Sequence, residues 1–223
     1  MFPLCEKLGI EFPLFAFSHC RDVVAEVSKA GGMGVLGVAG MTPEELHAEL
    51  SWIDNHVGGK PYGVDLIVPA KFSGKTKTKS DKPKPNPIPE THAAFVRDLL
   101  TEYDIDASDL TRDRFQGKTR LADNIHADAA ERMLDVAFKH PIGLIANALG
   151  VPPQHMLERG KREGVPVAAL VGAKEHAIKQ AKAGVDIIIA AGGEAGGHCG
   201  DVSTLVLVPE IVDAVSKIAD IPV

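Results

Sequence analysis

Cysteine is scarce in this sequence: Cys5, Cys20 and Cys199 are the whole supply, far apart and odd in number. That excludes a disulfide framework, and the lack of a Cys-x-x-Cys pair removes the usual structural zinc site. No cluster of His, Asp and Glu has ligand spacing on a helix or loop, so no metal is expected. Basic residues are outnumbered, 24 Lys and Arg against 30 Asp and Glu, and the net charge of -6 comes with no sustained basic face. Phosphate neutralisation needs clustered Lys and Arg, which argues against nucleic acid as the main partner. No apolar run reaches the length that spans a bilayer, and Met1 to Glu11 lacks the basic start and apolar core of a secretory signal. The expectation is a cytoplasmic protein in a reducing compartment, with no membrane partner. What is present is 45% hydrophobic and 24% charged residues over 223 positions, the make-up of a globular, enzyme-like chain with an ample core.

Short apolar runs alternate with helix-like segments along most of the length, the pattern of repeated βα units around a parallel sheet. Strands are expected near Phe12 to Ala16, Met33 to Val38, Gly63 to Val68, Ile142 to Ala146, Val165 to Val171 and Val185 to Ala190. Helices follow them. In Thr42-Pro43-Glu44-Glu45 the threonine can cap and the proline can open a first turn; Ala173 to Ala183 favours helix until Gly184 stops it; Leu205 to Ala219 reads as the last helix. About fifty residues separate the third strand from a helix starting near Asp123, far more than a βα loop uses. Residues 70–122 are therefore expected to be an insertion within one domain, 1–223. Its first part carries Lys71, Lys75, Lys77, Lys79, Lys82 and Lys84 among prolines, which suits a flexible loop, or a lid attracting an anion. His92 to Tyr103 has helical spacing and suits a small cap. The final Ile221-Pro222-Val223 reads as the start of a seventh strand. A complete (β/α)8 barrel takes about 250 residues, so the expected fold is an α/β chain of TIM-barrel type with about six βα units. Barrel edges left open at strands one and six invite pairing with a second copy or a complementing barrel segment.

The richest stretch is Gly192 to Gly200, with five glycines in nine residues directly after the apolar run Val185 to Ala191. A buried parallel strand ending in a loop with one imidazole is how an α/β barrel presents chemistry at its carboxyl end. Glycines there let backbone approach a bound group. Glu194 either holds the loop through backbone amides or is solvated. The remaining histidines, His19, His126 and His155 among them, lack such a context and default to surface or packing roles.

With these pieces placed, the chain resembles the nitronate monooxygenase family, also called 2-nitropropane dioxygenases: FMN-dependent TIM-barrel enzymes related to flavin-dependent enoyl-ACP reductases. The resemblance is carried by Lys29-Ala30-Gly31-Gly32-Met33-Gly34-Val35-Leu36-Gly37, Thr42 to Leu46, Pro61 to Leu66, Ala183 to Asp186, the Gly192 to Gly200 loop and Leu207 to Val215. It implies that His198 is the base, or the hydrogen-bond partner, for a small-molecule substrate. It also implies FMN contacts at Ala16, Phe17, Ser18, Asp65, Leu170, Ala191, Gly192, Gly196 and Gly197. Several of these depart from the family pattern: Ala16-Phe17-Ser18 replaces Ala-Pro-Met, Asp65 replaces Asn, Leu170 stands where Lys or Gln is frequent, and Ala191 where Gln or Asp is. An ionised Asp65 would oppose negative charge on a reduced ring. The turns after strands seven and eight that hold the FMN phosphate in the family are not in this sequence. The implied activity is oxidation of nitronates or nitroalkanes with dioxygen. Two alternatives stand beside it: an NAD(P)H-dependent reductase of quinones or enoyl thioesters, and a catalytically silent fragment that needs a second chain.

Overall fold

A computed structural model describes residues 2–68, 89–106, 127–197 and 199–223. Six strands alternate with helices: β1 (Phe15–Ser18), β2 (Met33–Gly37), β3 (Gly63–Leu66), β4 (Leu144–Asn147), β5 (Val167–Val171) and β6 (Ile187–Ala190). Helix α1 (Pro3–Leu8) precedes the first strand, and α2 (Arg21–Lys29) and α3 (Pro43–His56) follow β1 and β2. Next come α4 (Glu90–Glu102), α5 (Ala127–Ala137), α6 (Gln154–Glu163), α7 (Lys174–Ala183) and α8 (Thr204–Val215). All neighbouring strands are parallel and lie in chain order, β1 to β6.

That order sets the architecture. Each right-handed crossover steps one strand in the same direction, so the helices collect on one face and the sheet forms a barrel wall. On the helix face, Leu36, Val64, Ile145 and Val167 pack with Leu46, Leu50 and Ile53 of α3 and with Met133 and Leu134 of α5. Farther round, Ala169, Val171 and Ile188 meet Ala177 of α7 and Leu207, Ile211 and Val215 of α8. The opposite face holds Met33, Val35, Leu144, Ala146, Ala168 and Ile187, closed at the amino ends of the strands by Cys5, Leu8 and Ile10. Cys5 is thus a buried apolar filler, as a free thiol often is.

Local signals account for the boundaries. Thr42 and Glu45 form a reciprocal capping box on α3, with Pro43 in its first turn. Gly184 ends α7 at φ +89°, a conformation that glycine adopts without a steric cost. A Cβ on Gly34 would lie 2.1 Å from the Val24 carbonyl oxygen, so α2 can seat on β2 only above a glycine.

Two expected boundaries shift by more than two residues. The first strand begins at Phe15, because Glu11 and Phe12 both donate to the Gly31 carbonyl and Pro13 has no N–H to offer a ladder. The last helix ends at Val215 instead of Ala219. The helix expected at His92 to Tyr103 is α4, whereas Lys71 to Lys84, the rest of the insertion outside 89–106, and Asp123 lie outside the described residues. At the other end, Ile188 donates to the Pro222 carbonyl at 2.9 Å and Ile221 packs beside β6 and α8, where the seventh-strand reading puts them. Among the described residues no helix is long and apolar enough to cross a membrane.

Candidate active site

Register carries the inward pattern up to the carboxyl ends of the strands. Phe17 pairs with Val35, Gly37 with Asp65, Asp65 with Ala146, and Leu170 with Ile189. Paired residues of a parallel ladder share a face, so Phe17, Gly37, Asp65, Leu170 and Ile189 lie on the inward face, toward the carboxyl ends of their strands. The layer is apolar and open: Phe17 is 57% exposed, Ile189 37%, and Leu149, just beyond β4, 53%. Gly37 makes room at its first corner. A Cβ there would lie 2.4 Å from the Phe17 ring and 2.8 Å from His19 Cε1. The two rings meet edge to face at 5.1 Å, and His19 Nδ1 is 2.7 Å from the Gly37 carbonyl oxygen. His19, by default a surface or packing residue, therefore packs over the mouth.

Asp65 is the polar member of the layer. It sits between Gly37 and Ala146, neither of which offers it a partner, and its Oδ1 is buried with no hydrogen bond from the described residues. Burial pushes its carboxyl up to about 7, because the charged form is poorly solvated there. Near neutral pH a large share of Asp65 is uncharged, which weakens the expected repulsion of a reduced ring.

The glycine-rich loop is tied down at both ends. Ala191 donates to the Val171 carbonyl at 2.8 Å, and Gly193 to the Val202 carbonyl at 2.9 Å. Glu194 accepts from the Thr204 N–H and from the hydroxyls of Ser203 and Thr204 at the start of α8. Those bonds, the Ser203 hydroxyl first, hold its carboxyl well below the usual range. Of the two readings of Glu194, the loop-holding one is correct. A Cβ on Gly192 would lie 2.3 Å from Thr204 Oγ1, and one on Gly200 would lie 2.1 Å from the Gly172 carbonyl oxygen. These glycines serve packing of the loop against α8 and the end of β5. Gly196 and Gly197 differ: both are exposed at the tip, and a Cβ at either meets nothing within 4 Å. Gly197 has φ +73°, so a turn requires it. His198 lies outside the described residues.

The implied contacts thus separate. Phe17, Asp65 and Leu170 share the mouth, with Ala191 just above β6 and Gly192 beside it. Ala16 and Ser18 pair with Gly34 and Leu36 on the helix face, and Ser18 Oγ accepts from the Cys20 N–H at the start of α2. Sequence reasoning missed three supports. Buried Asn147 accepts from the Val68 N–H and donates to the carbonyls of Leu149 and Gly150; buried Gln180 donates to the Gly150 carbonyl; Gly172 receives Gly200. An asparagine closing the apolar run Leu144-Ile145-Ala146 was the available signal. Between these supports a cleft of about 500 Å³ opens, lined by Leu149, Gly150, Leu170, Gly172, Gln180 and Ala191. The strand ends thus form an apolar floor with one half-buried acid, beside a pinned glycine loop.

The family model for nitronate monooxygenase matches residues 3–223. The chain belongs to the nitronate monooxygenase family. A Mycobacterium tuberculosis protein bearing the name of a monooxygenase, Rv1533, is 51% identical over 214 residues, covering 96% of this chain and 56% of its own length. A Staphylococcus aureus protein with the name of a nitronate monooxygenase is 26% identical over 227 residues, covering 96% of this chain and 58% of its own. The chain therefore spans little more than half the length of the curated relatives it matches. A solved nitroalkane oxidase from Streptomyces ansochromogenes superposes with TM-score 0.65 at 22% identity, over 98% of this chain and 59% of that one. This likeness shows the fold: the six units are of the TIM-barrel type expected.

Proposed function

We propose that this chain carries the flavin-facing mouth of an FMN-dependent oxidoreductase that oxidises nitronates or nitroalkanes with dioxygen. The observation that carries the reading is the layer formed by Phe17, Asp65, Leu170 and Ile189. It joins a broad apolar surface at the strand ends to one buried polar atom, Asp65 Oδ1, that has no hydrogen-bond partner among the described residues. A flat, mainly apolar heterocycle with a polar edge suits such a surface, so the residues present fit the ring. Phe17, Leu170 and Ile189 would lie against it and Asp65 would meet its edge. Bound flavin supplies the electron transfer; the protein supplies position and electrostatics.

His198 stands between Gly197 and Cys199 in the loop that Glu194 anchors to α8. The family resemblance makes it the group that takes a proton from the carbon beside a nitro group, or hydrogen-bonds to the nitro oxygens. A neutral imidazole with an ordinary pKa of about 6.5 can do either near neutral pH. Exposed Cys199 has its Sγ 3.8 Å from the Gly193 carbonyl oxygen and is given no chemical role.

The test is oxygen uptake by FMN-loaded protein supplied with a preformed alkyl nitronate. Nitronate-dependent uptake is expected, together with anaerobic bleaching of the flavin by the same nitronate. Bleaching by NADPH and not by nitronate would transfer the reading to the NAD(P)H-dependent reductase.

A further inference from the structure

Among the described residues Asp65 is the one carboxyl side chain on the inward face at the strand ends, and its surroundings define the form in which it can work. From β2 it faces Gly37, from β4 Ala146, and farther round the layer are Leu170 of β5 and Ile189 of β6. The titratable side chain that the flanking strands bring to this level is His19, whose Nδ1 is already engaged with the Gly37 carbonyl. Beyond His19, on α3, Glu45 is engaged with the Thr42 N–H and Glu49 with Arg21. No described cation therefore neutralises Asp65, and its titration is displaced by burial alone. An ionised carboxylate with a buried, unbonded oxygen is costly; a protonated carboxyl is less so, and loses its remaining cost when a ligand accepts from it.

We propose that Asp65 acts as a protonated acid, offering its O–H as donor and its carbonyl oxygen as acceptor to the polar edge of the ring bound in the mouth, so that binding is coupled to proton uptake. The inference rests on the flavin reading above. It also accounts for the departure from asparagine at this position. A carboxylic acid has one donor and one acceptor face, as a primary amide does, whereas a carboxylate accepts only. The isoalloxazine edge alternates N–H and carbonyl groups and requires both. In this chain Asp65 is thus a pH-sensitive counterpart of asparagine, and ring affinity is highest where the acid keeps its proton.

Two measurements test this. In flavin-free protein, infrared difference spectra should show a protonated-carboxyl carbonyl band that titrates near neutral pH and is missing from Asp65→Asn; the wild-type titration needs no variant to fold. In FMN titrations followed by fluorescence quenching, wild-type affinity should fall about tenfold per pH unit above the Asp65 transition, as loss of one linked proton requires. Asp65→Asn should bind with little pH dependence across the same range. A wild-type carboxyl that is fully ionised at about pH 6, or equal pH slopes for both proteins, would overturn the proposal. Failure of FMN to bind either protein at any pH would instead sink the flavin reading, while the infrared band would still decide the protonation state by itself.

Discussion

Replacing His198 by alanine is expected to lower oxidation of neutral nitroalkanes by about 10²- to 10⁴-fold, the usual contribution of a positioned general base, with FMN still bound. The substrate form separates the two roles open to His198. A neutral nitroalkane must lose a carbon-bound proton before electrons can leave, whereas a nitronate has already lost it. If His198 is the base, the variant keeps most of its turnover on preformed nitronate and loses it on the nitroalkane. If His198 is the hydrogen-bond partner of the nitro oxygens, both substrates suffer alike. The described ties of the loop are Glu194 to Ser203 and Thr204 and Gly200 against Gly172, and all of them remain in the variant. Steady-state rates on the two forms over a pH series check this, and unchanged turnover on both would remove His198 from the chemistry.

Asp65→Asn should change how stability depends on pH, with or without flavin. The Asp65 carboxyl is raised to about 7 in the folded protein from an ordinary 3.8, so the folded state holds its proton over a range where the unfolded state has lost it. Below about pH 4 both states are protonated and the wild type has its full stability. As pH rises from about 4 to 7 the unfolded chain ionises first and stability is lost; above about 7 the loss is complete. About three pK units at 1.36 kcal/mol each give up to about 4 kcal/mol. Asparagine does not titrate, so the stability of the variant relative to wild type should climb by that order across the window. Urea unfolding of both proteins at several pH values measures the difference, in which the other ionisable groups largely cancel. A constant gap would mean that Asp65 finds solvent or a partner in the folded chain.

The fold was largely legible because its determinants are local. Pro43 behind Thr42, Gly184 after a run of Ala and Lys, and apolar runs of strand length each act within a few residues, and they placed six strands close to their positions. The misplaced start of β1 came from a longer-range cause: the chain before it turns to donate twice to the Gly31 carbonyl. The site was legible in part. Phe17, Asp65 and Leu170 were named through the family resemblance and do share the mouth, but the state of Asp65 depends on Gly37 and Ala146, which only strand register brings beside it. The grip of Glu194 on Ser203 and Thr204 spans nine and ten residues and leaves no periodic trace. Gly172 and Gly200 reveal their pairing only once β5 and the loop after β6 are adjacent.

Whether the strand ends of this chain hold a flavin ring is read from the visible absorbance of the protein after incubation with excess FMN and gel filtration. Retained flavin is expected, with bands shifted and sharpened by the apolar floor around Phe17, Leu170 and Ile189. A folded protein that elutes colourless would contradict the proposed flavin site.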